Sequence, residues 1–495
     1  MPAKNGRVYL DSLCDGRELY ARGERIADVT AHPAFKRTAE TLAGLFDLQY
    51  APDYAEKLTY RSPISGDPVP MSYLIPTSRD DLVRRRVANR IIAEWSYGNV
   101  TRTANLVSQM VTQWAMNKGE FAARVSPAAE RVWRYYEYCR ENDVVLTHAI
   151  VSPQYDRRKP PSEQEDPYLV LGKVRETEEG IVVRGARMLA THAPYCNEVL
   201  VWPFERLTPQ DTAYALWFAC PLNAPGLKLL SREPYGSEEP LFDRPLSSRF
   251  DEGDCVLIFD DVLIPWDRVF VDGLTDFRLR DKGEAREGPI NIFGAQQTTR
   301  ALVKAEFMYA VANGVAEAIG IDGFLHVQQM LGEMLVYVDA MRGMEKLYES
   351  QAIERDGQLF MPADAVTGGR DLLPHYFQRM AWILREICGA GQVMTPSLAD
   401  FNLPELRPYL DKYFRGKPGV SAVDKVKLFK LAWELASDKF GSRATIYEYY
   451  HSGDPVRNTA NVHVGADKAR YRDLLSRVLQ EMDADLQPAA ELTRR

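Results

Sequence analysis

The chain has 495 residues, with 61 Lys and Arg against 69 Asp and Glu and a formal net charge of −8. That length sets two or three domains as the expectation, and 45% hydrophobic with 26% charged residues is ordinary globular composition. An acidic chain lacks the basic face that phosphate backbones need, which disfavours a nucleic-acid protein, and no apolar run is long enough to span a membrane.

The N-terminus, MPAKNGRVYLDSLCDG, has no apolar h-region, so the chain is read as cytoplasmic. Residues 1–150 read as a helical domain, with helical spacing over 87–95, 104–116 and 127–141. The character changes at Pro153. From there to about residue 278, short β-branched runs such as YLVLGKV, EVLVWPF and CVLIFDDVLIP are separated by charged or Gly-containing turns, which predicts a β-barrel domain over 151–278.

Residues 279–495 predict a bundle of long helices and a tail. One apolar stripe runs Val327, Met330, Leu331, Met334, Leu335, Val338, Met341, Met344. A second runs Phe377, Met380, Leu384, Ile387 and stops at Gly389, and a third runs from Val423 to Leu435. Such stripes are most simply core faces. An α+β chain ordered helices, β domain, helices suits an acyl-CoA-dehydrogenase-like architecture, with flavin between the β domain and the C-terminal helices.

The six cysteines, Cys14, Cys139, Cys196, Cys220, Cys255 and Cys388, contain no C-x-x-C pair and read as reduced, mostly buried thiols. The histidines lack H-x₃-H spacing, so no metal site is expected. There is no Gly-rich dinucleotide turn, Walker loop, zinc-protease motif or nucleophile elbow; Gly389-Ala390-Gly391 ends a helix and lacks a third glycine. Any reducing equivalents must therefore come from elsewhere.

Six segments in order, Asp15–Phe35, Ser96–Asn105, Leu146–Arg157, Gly185–Pro194, Pro245–Val269 and Phe440–Pro455, resemble the oxygenase component of the 4-hydroxyphenylacetate 3-monooxygenase family. The resemblance implies a homo-oligomer, usually a tetramer, fed with FADH₂ by a separate NAD(P)H:flavin reductase. It also implies hydroxylation of an aromatic substrate with O₂ through a flavin C4a-hydroperoxide.

By the same resemblance, Arg102 and His148 are the catalytic pair. A histidine can share the phenol proton near neutral pH, and a permanent guanidinium charge can stabilise developing phenolate. Taken alone, a lone histidine among apolar residues is more often structural and a lone arginine more often a surface group. The flavin contacts carried over are Gln154, Tyr155, Asp156, Arg157, Thr191, Ser452, Gly453 and Asp454, with Arg443 a further candidate. Each has an ordinary alternative: Thr191 as a strand residue, Ser-Gly-Asp-Pro as a turn.

The chain departs from the family where hydroxylases of 4-hydroxyphenylacetate carry tyrosine four residues after the arginine: it has Leu106. Helical spacing would put Leu106 beside Arg102 on the substrate side, with Asn105 as a replacement polar contact. A larger or less polar aromatic than 4-hydroxyphenylacetate is then expected. A tailoring oxygenase acting on an indole, pyrrole, amine or carrier-bound amino acid is the alternative. An iron–sulfur dehydratase of the same family needs converging cysteines, and residues 99–106 contain none. A non-catalytic flavin binder is disfavoured by the retained Arg102 and His148.

Overall fold

The computed structural model of the chain describes residues 3–102, 104–277, 293–361, 363–451 and 453–483. The principal N-terminal helices are α1 (Lys36–Asp47), α2 (Arg79–Trp95), α3 (Leu106–Met116) and α4 (Ala128–Glu141). The last three lie where the periodicity puts helices. A capping box fixes the start of α2: the Ser78 side chain accepts from Asp81 N, and the Asp81 carboxylate answers to the Ser78 backbone.

After the sheets come α5 (Phe293–Ile319), α6 (Leu325–Ser350), α7 (Ala363–Cys388), α8 (Ala422–Ala436), α9 (Lys439–Tyr450), α10 (Pro455–Gly465) and α11 (Ala469–Asp483). The predicted stripes are their core faces. On α6, Val327, Leu331, Met334, Val338 and Met341 are buried, while Leu335 turns outward. On α7, Phe377, Met380, Leu384 and Ile387 are buried, and the helix stops at Gly389, whose φ of +54° is the left-handed turn that favours glycine. α7 runs through Pro374. Proline removes one backbone hydrogen bond there, and the apolar stripe on either side holds the helix together.

The β region corrects the expectation of a barrel. Its strands are β1 (Glu18–Ala21), β2 (Glu24–Ile26), β3 (Leu146–Ala149), β4 (Gly172–Glu176), β5 (Gly180–Ala190), β6 (Glu198–Val201), β7 (Leu216–Pro221), β8 (Leu227–Ser231), β9 (Cys255–Pro265) and β10 (Val269–Asp272). They form two open sheets, ordered β2-β1-β8-β9-β5-β4 and β10-β7-β6-β3. Closure requires the end strands to find each other. Here the smaller sheet is instead covered on both faces, and strict alternation along β7 shows how: Leu216, Phe218 and Cys220 pack toward the larger sheet, while Trp217 and Ala219 pack toward α3 and α4. Phe218 meets Phe259 of β9 edge-on at 6.0 Å between the sheets.

The first 150 residues also contribute strands. β1 pairs in parallel with β8, and β3 pairs in parallel with β6. Segments 18–26 and 146–149 therefore belong with the sheets rather than with the helices around them.

The cysteines are free, with Cys14 exposed and the other five buried. Among the described residues no helix is long and apolar enough to cross a membrane, and no His, Cys, Asp and Glu cluster could hold a metal.

The bundle is latched to the segment before β9 through one buried carboxylate. Glu434 of α8 accepts from Leu246 N at 2.6 Å, from Ser247 N at 3.1 Å and from the Ser247 hydroxyl. Glu434→Ala leaves those donors in a dry environment, where each orphan costs about 1–3 kcal/mol. The variant should melt several degrees lower in thermal unfolding; an unchanged Tm would mean that the latch carries no load.

Candidate active site

β3 carries His148 on the face that points away from the larger sheet. Its cross-strand neighbour is Leu200 of β6, and its ring meets Trp202 edge-on at 5.4 Å. Trp202 in turn stacks on Trp217 at 5.8 Å and meets Trp114 of α3 at 5.4 Å. His148 is 5% exposed, and its Nδ1 has no hydrogen-bond partner. Burial, and then the nearby charge of Arg102, hold its pKa well below the ordinary histidine range. It is a neutral imidazole, able to accept or share a proton.

Arg102 lies just before α3, not on it. α3 begins at Leu106, with the Leu106 N–H reaching the Arg102 carbonyl at 3.2 Å. Arg102 is 6% exposed, and its Nε and Nη1 are buried with no partner. Its Cζ sits 5.2 Å from the centre of the Tyr447 ring on α9. A buried cation with free N–H groups beside a buried neutral imidazole with a free nitrogen is the arrangement that a phenol oxygen would complete.

The loop carrying Arg102 is pinned at both ends. Gly98 has φ of +72°, and a Cβ there would stand 2.6 Å from Lys304 N of α5, so only glycine lets the loop lie on that helix. At the other end, Thr101 N donates to Glu252 Oε1 at 2.6 Å, and the Thr101 hydroxyl donates to the same oxygen.

Glu252 also accepts from Arg443 Nη1. Asp254 accepts from Arg443 Nε at 2.9 Å, from Arg443 Nη2 at 2.6 Å, from Arg232 Nε at 2.9 Å and from the Thr191 hydroxyl at 2.8 Å. Burial opposes the Asp254 charge, but Arg443 and Arg232 more than offset it and keep the carboxyl far below its usual range. The Thr147 hydroxyl, next to His148, donates to the Thr191 carbonyl. One network thus links Arg102's loop, His148's strand and α9.

A second buried cluster adjoins it. Glu448 of α9 binds Arg300 through both guanidinium Nη atoms and accepts from Lys304 Nζ at 2.9 Å. His451 stacks on Tyr447 at 5.5 Å; its Nδ1 lies 3.2 Å from the Glu448 carbonyl, and Nε2 is buried without a partner. Burial, against the pull of Glu448, brings its pKa down to about 4.

The other expected residues fall as follows. Asn105 is committed within the protein: Nδ2 donates to Asn89 at 2.8 Å, and Oδ1 accepts from Gln296 at 3.1 Å, so it is a strut between α2 and α5 rather than a free arm. Leu106 is fully buried in the apolar cluster that also holds Leu146, Leu200 and Trp217. It therefore shares a core with His148's neighbours, although Arg102 is not on its helix.

Arg443 spends its guanidinium on Glu252 and Asp254, which makes it a brace. Thr191 gives its proton to Asp254 and keeps a lone pair. Gln154 and Arg157 are exposed, Tyr155 and Asp156 half-buried, and Asp156 pairs with Arg158 at 2.7 Å. Gly453 has φ of +108°, and a Cβ there would stand 2.9 Å from the ring of Phe204, whose own N–H bonds the Ile150 carbonyl at 3.2 Å. Phe204 thus lies between Ile150, just after β3, and the Gly453 loop. Asp454 caps α10 by accepting from Val456 N at 2.9 Å. Ser452 lies outside the described residues.

Sequence reasoning missed Glu252, Asp254, Arg300, Lys304, Tyr447, Glu448 and His451. The signal for the first two was an acidic pair around Gly253 just before an apolar strand. For Arg300 it was a polar stretch, QQTTR, opening a long helix, with Lys304 one turn further on.

His148 and His451 are both held neutral, which has a pH consequence. The unfolded chain takes up protons near pH 6.5, whereas the folded sites do so only lower. Their contribution to stability is complete above about pH 6.5 and is lost as the pH falls. Tm should therefore drop between about pH 6.5 and 5, above the ordinary carboxylate range, and His451→Gln should make that slope shallower in thermal scans. A parallel slope in the variant would remove His451 from this account.

Known proteins carry the same pattern. The family profile described as 4-hydroxyphenylacetate 3-hydroxylase N terminal matches residues 5–271, and its C-terminal counterpart matches 285–480. The chain is 39% identical over 484 residues to the 4-hydroxyphenylacetate 3-monooxygenase oxygenase component of Thermus thermophilus, covering 97% of this chain and 98% of that protein. It is 33% identical to the 4-nitrophenol 2-monooxygenase oxygenase component of a Rhodococcus species, covering 91% and 86%. A crystal structure of a 4-hydroxyphenylacetate 3-monooxygenase oxygenase component with FAD and 4-hydroxyphenylacetate matches with a TM-score of 0.91 at 38% identity, covering 97% of this chain and 99% of that one. The chain belongs to the 4-hydroxyphenylacetate 3-monooxygenase oxygenase-component family, flavin-dependent monooxygenases of two-component systems.

Proposed function

We propose that this chain hydroxylates a phenol that is larger or less polar than 4-hydroxyphenylacetate, using FADH₂ from a separate NAD(P)H:flavin reductase and O₂. The observation that carries the reading is the pairing of Arg102 and His148, both buried, each with unpartnered nitrogen and neither tied to a carboxylate among the described residues.

A phenol oxygen between them would accept from Arg102 and offer its proton to His148. The guanidinium lowers the basicity of His148 and the pKa of the phenol together, so the proton is shared along a short hydrogen bond while electron density builds on the ring. The ring carbon beside the hydroxyl is then the nucleophilic position.

The residues present fit a flavin. His451 and Arg102 keep buried polar atoms without protein partners, and Ile150, four residues before the 154–157 turn, and the Gly453 loop both meet Phe204. The Gln154–Arg157 turn, Thr191 through its remaining lone pair, and the Ser452–Asp454 loop would hold it, while Arg443 braces from behind. When bound, FADH₂ supplies the electrons that activate O₂.

The preference for a less polar substrate rests on Leu106 and on the wall of Trp114, Trp202 and Trp217 beside His148. These side chains offer little to a carboxylate. A row of exposed apolar groups on α11, including Leu474, Leu475, Val478 and Leu479, supports a homo-oligomer such as a tetramer.

Mass spectrometry of products from a panel of phenols, with FADH₂ supplied, tests the reading; oxidation of NADH by the chain alone, or no oxygenated product from any phenol, would overturn it. His148→Ala should lower product formation by about 10²–10⁴-fold while oxygen is still consumed and released as H₂O₂. Leu106→Tyr should raise turnover of small monohydric phenols and lower that of bulkier ones. If the product profile stays unchanged while Tm falls, with a loss of about 1–3 kcal/mol of stability from overpacking, Leu106 is a core residue and the substrate preference fails.

A further inference from the structure

Arg102 raises a question of mechanics. Its N–H groups must stay free for a ligand, yet a long buried side chain needs something to hold it. The neighbouring cations are held by carboxylates: Arg443 by Glu252 and Asp254, Arg300 by Glu448. Among the described residues Arg102 has no such partner. What it touches is the Tyr447 ring.

We propose that Tyr447 is the positioning residue for Arg102, seating the guanidinium by a cation–π contact so that its N–H edge remains available to substrate. Three observations carry this. The Arg102 Cζ lies 5.2 Å from the ring centroid, with Arg443 at 5.0 Å and Arg300 at 5.9 Å around the same ring. The ring is itself immobilised, because Arg443 and Arg300 are clamped by their carboxylates, His451 stacks on it with an interplanar angle of 25°, and its hydroxyl meets the Thr101 side chain. Finally, Arg102 Nε and Nη1 are buried without partners, which a carboxylate in that place would have prevented.

The chemistry explains why a ring is used. A carboxylate would engage the N–H edge and neutralise the charge, removing what a developing phenolate needs. An aromatic face attracts the cation through its quadrupole and leaves the edge unspent.

The inference rests on Arg102 being the substrate-facing cation, so the test has an arm that needs no substrate. Crystal structures of the unliganded Tyr447→Phe and Tyr447→Leu proteins should show Arg102 in place in the first and its guanidinium displaced in the second. On any phenol that the parent enzyme hydroxylates, Tyr447→Leu should lose roughly tenfold in kcat/KM, the scale of a desolvated cation–ring contact. Tyr447→Phe should retain most of the activity, and both should melt within a few degrees of the parent. In an Arg102→Ala background, Tyr447→Leu should add nothing further.

Should the leucine variant fail to fold, placing progressively fluorinated phenylalanines at position 447 keeps the ring's shape while weakening its quadrupole. kcat/KM should then fall stepwise with fluorine content. An unmoved Arg102 in Tyr447→Leu, a flat fluorination series, or an independent loss in the Arg102→Ala background would each overturn the proposal. If no phenol is turned over, the fault lies with the substrate reading, and the crystal structures alone decide the role of Tyr447.

Discussion

Arg443 lies between Glu252 and Asp254, and burial makes that pairing obligatory. Taking three charges out of water costs several kcal/mol per ion, and the attraction among them does little more than offset this. Such a cluster adds little net stability. Its effect is to forbid alternatives: removing one partner strands the others, at a cost of about 3–5 kcal/mol. Because Glu252 also holds Thr101, and Asp254 also holds Thr191, the same constraint fixes the loop before α3 and the strand end beside His148. Helices and sheets from opposite ends of the chain are thereby registered to each other at one point.

The buried charges in this region nearly cancel. Arg443 and Arg232 face Glu252, Asp254 and Asp251, an excess of one negative charge. Arg300 and Lys304 face Glu448, an excess of one positive charge. Among the described residues this leaves Arg102 as the cation without a counterpart in the network. A dry site with one uncompensated positive charge stabilises a partial negative charge that appears during reaction, and needs no reorganisation to do so. The neutral histidines beside it keep that surplus from growing.

The helices were legible because their burial repeats at helical spacing. The Val327–Met344 and Phe377–Ile387 stripes became core faces, and Gly389 marked an end that only its backbone conformation explains. The sheets were legible as strands but not as a topology. No local pattern says that β1, near the N-terminus, pairs in parallel with β8 some two hundred residues later, or that the smaller sheet is covered on both faces and left open. His148 was read as the end of a helical domain because four strand residues are too few to show alternation. Arg102 and His148 were singled out through family motifs, whereas Tyr447 and Glu448 lay inside a quoted motif unnoticed. A charged residue in a helix reads as a solvated face until its partner, far away in sequence, is placed beside it.

That distribution of constraint bears on how the substrate can change while the chemistry stays. Arg102 is positioned by contacts from three places: Gly98 against α5, Thr101 on Glu252, and the Tyr447 ring of α9. None of them involves Leu106, which packs the other way, into the aromatic and aliphatic cluster beside β3 and β6. A substitution at Leu106 alters that cluster and leaves the three contacts on the Arg102 loop and side chain in place. Asn105, by contrast, is tied into the Asn89–Gln296 ladder, so removing its amide would take a hydrogen-bond partner from polar groups of α2 and α5. Adjacent positions therefore differ in kind: the Leu106 side chain is held by apolar packing alone, whereas Asn105 is held by side-chain hydrogen bonds to two helices.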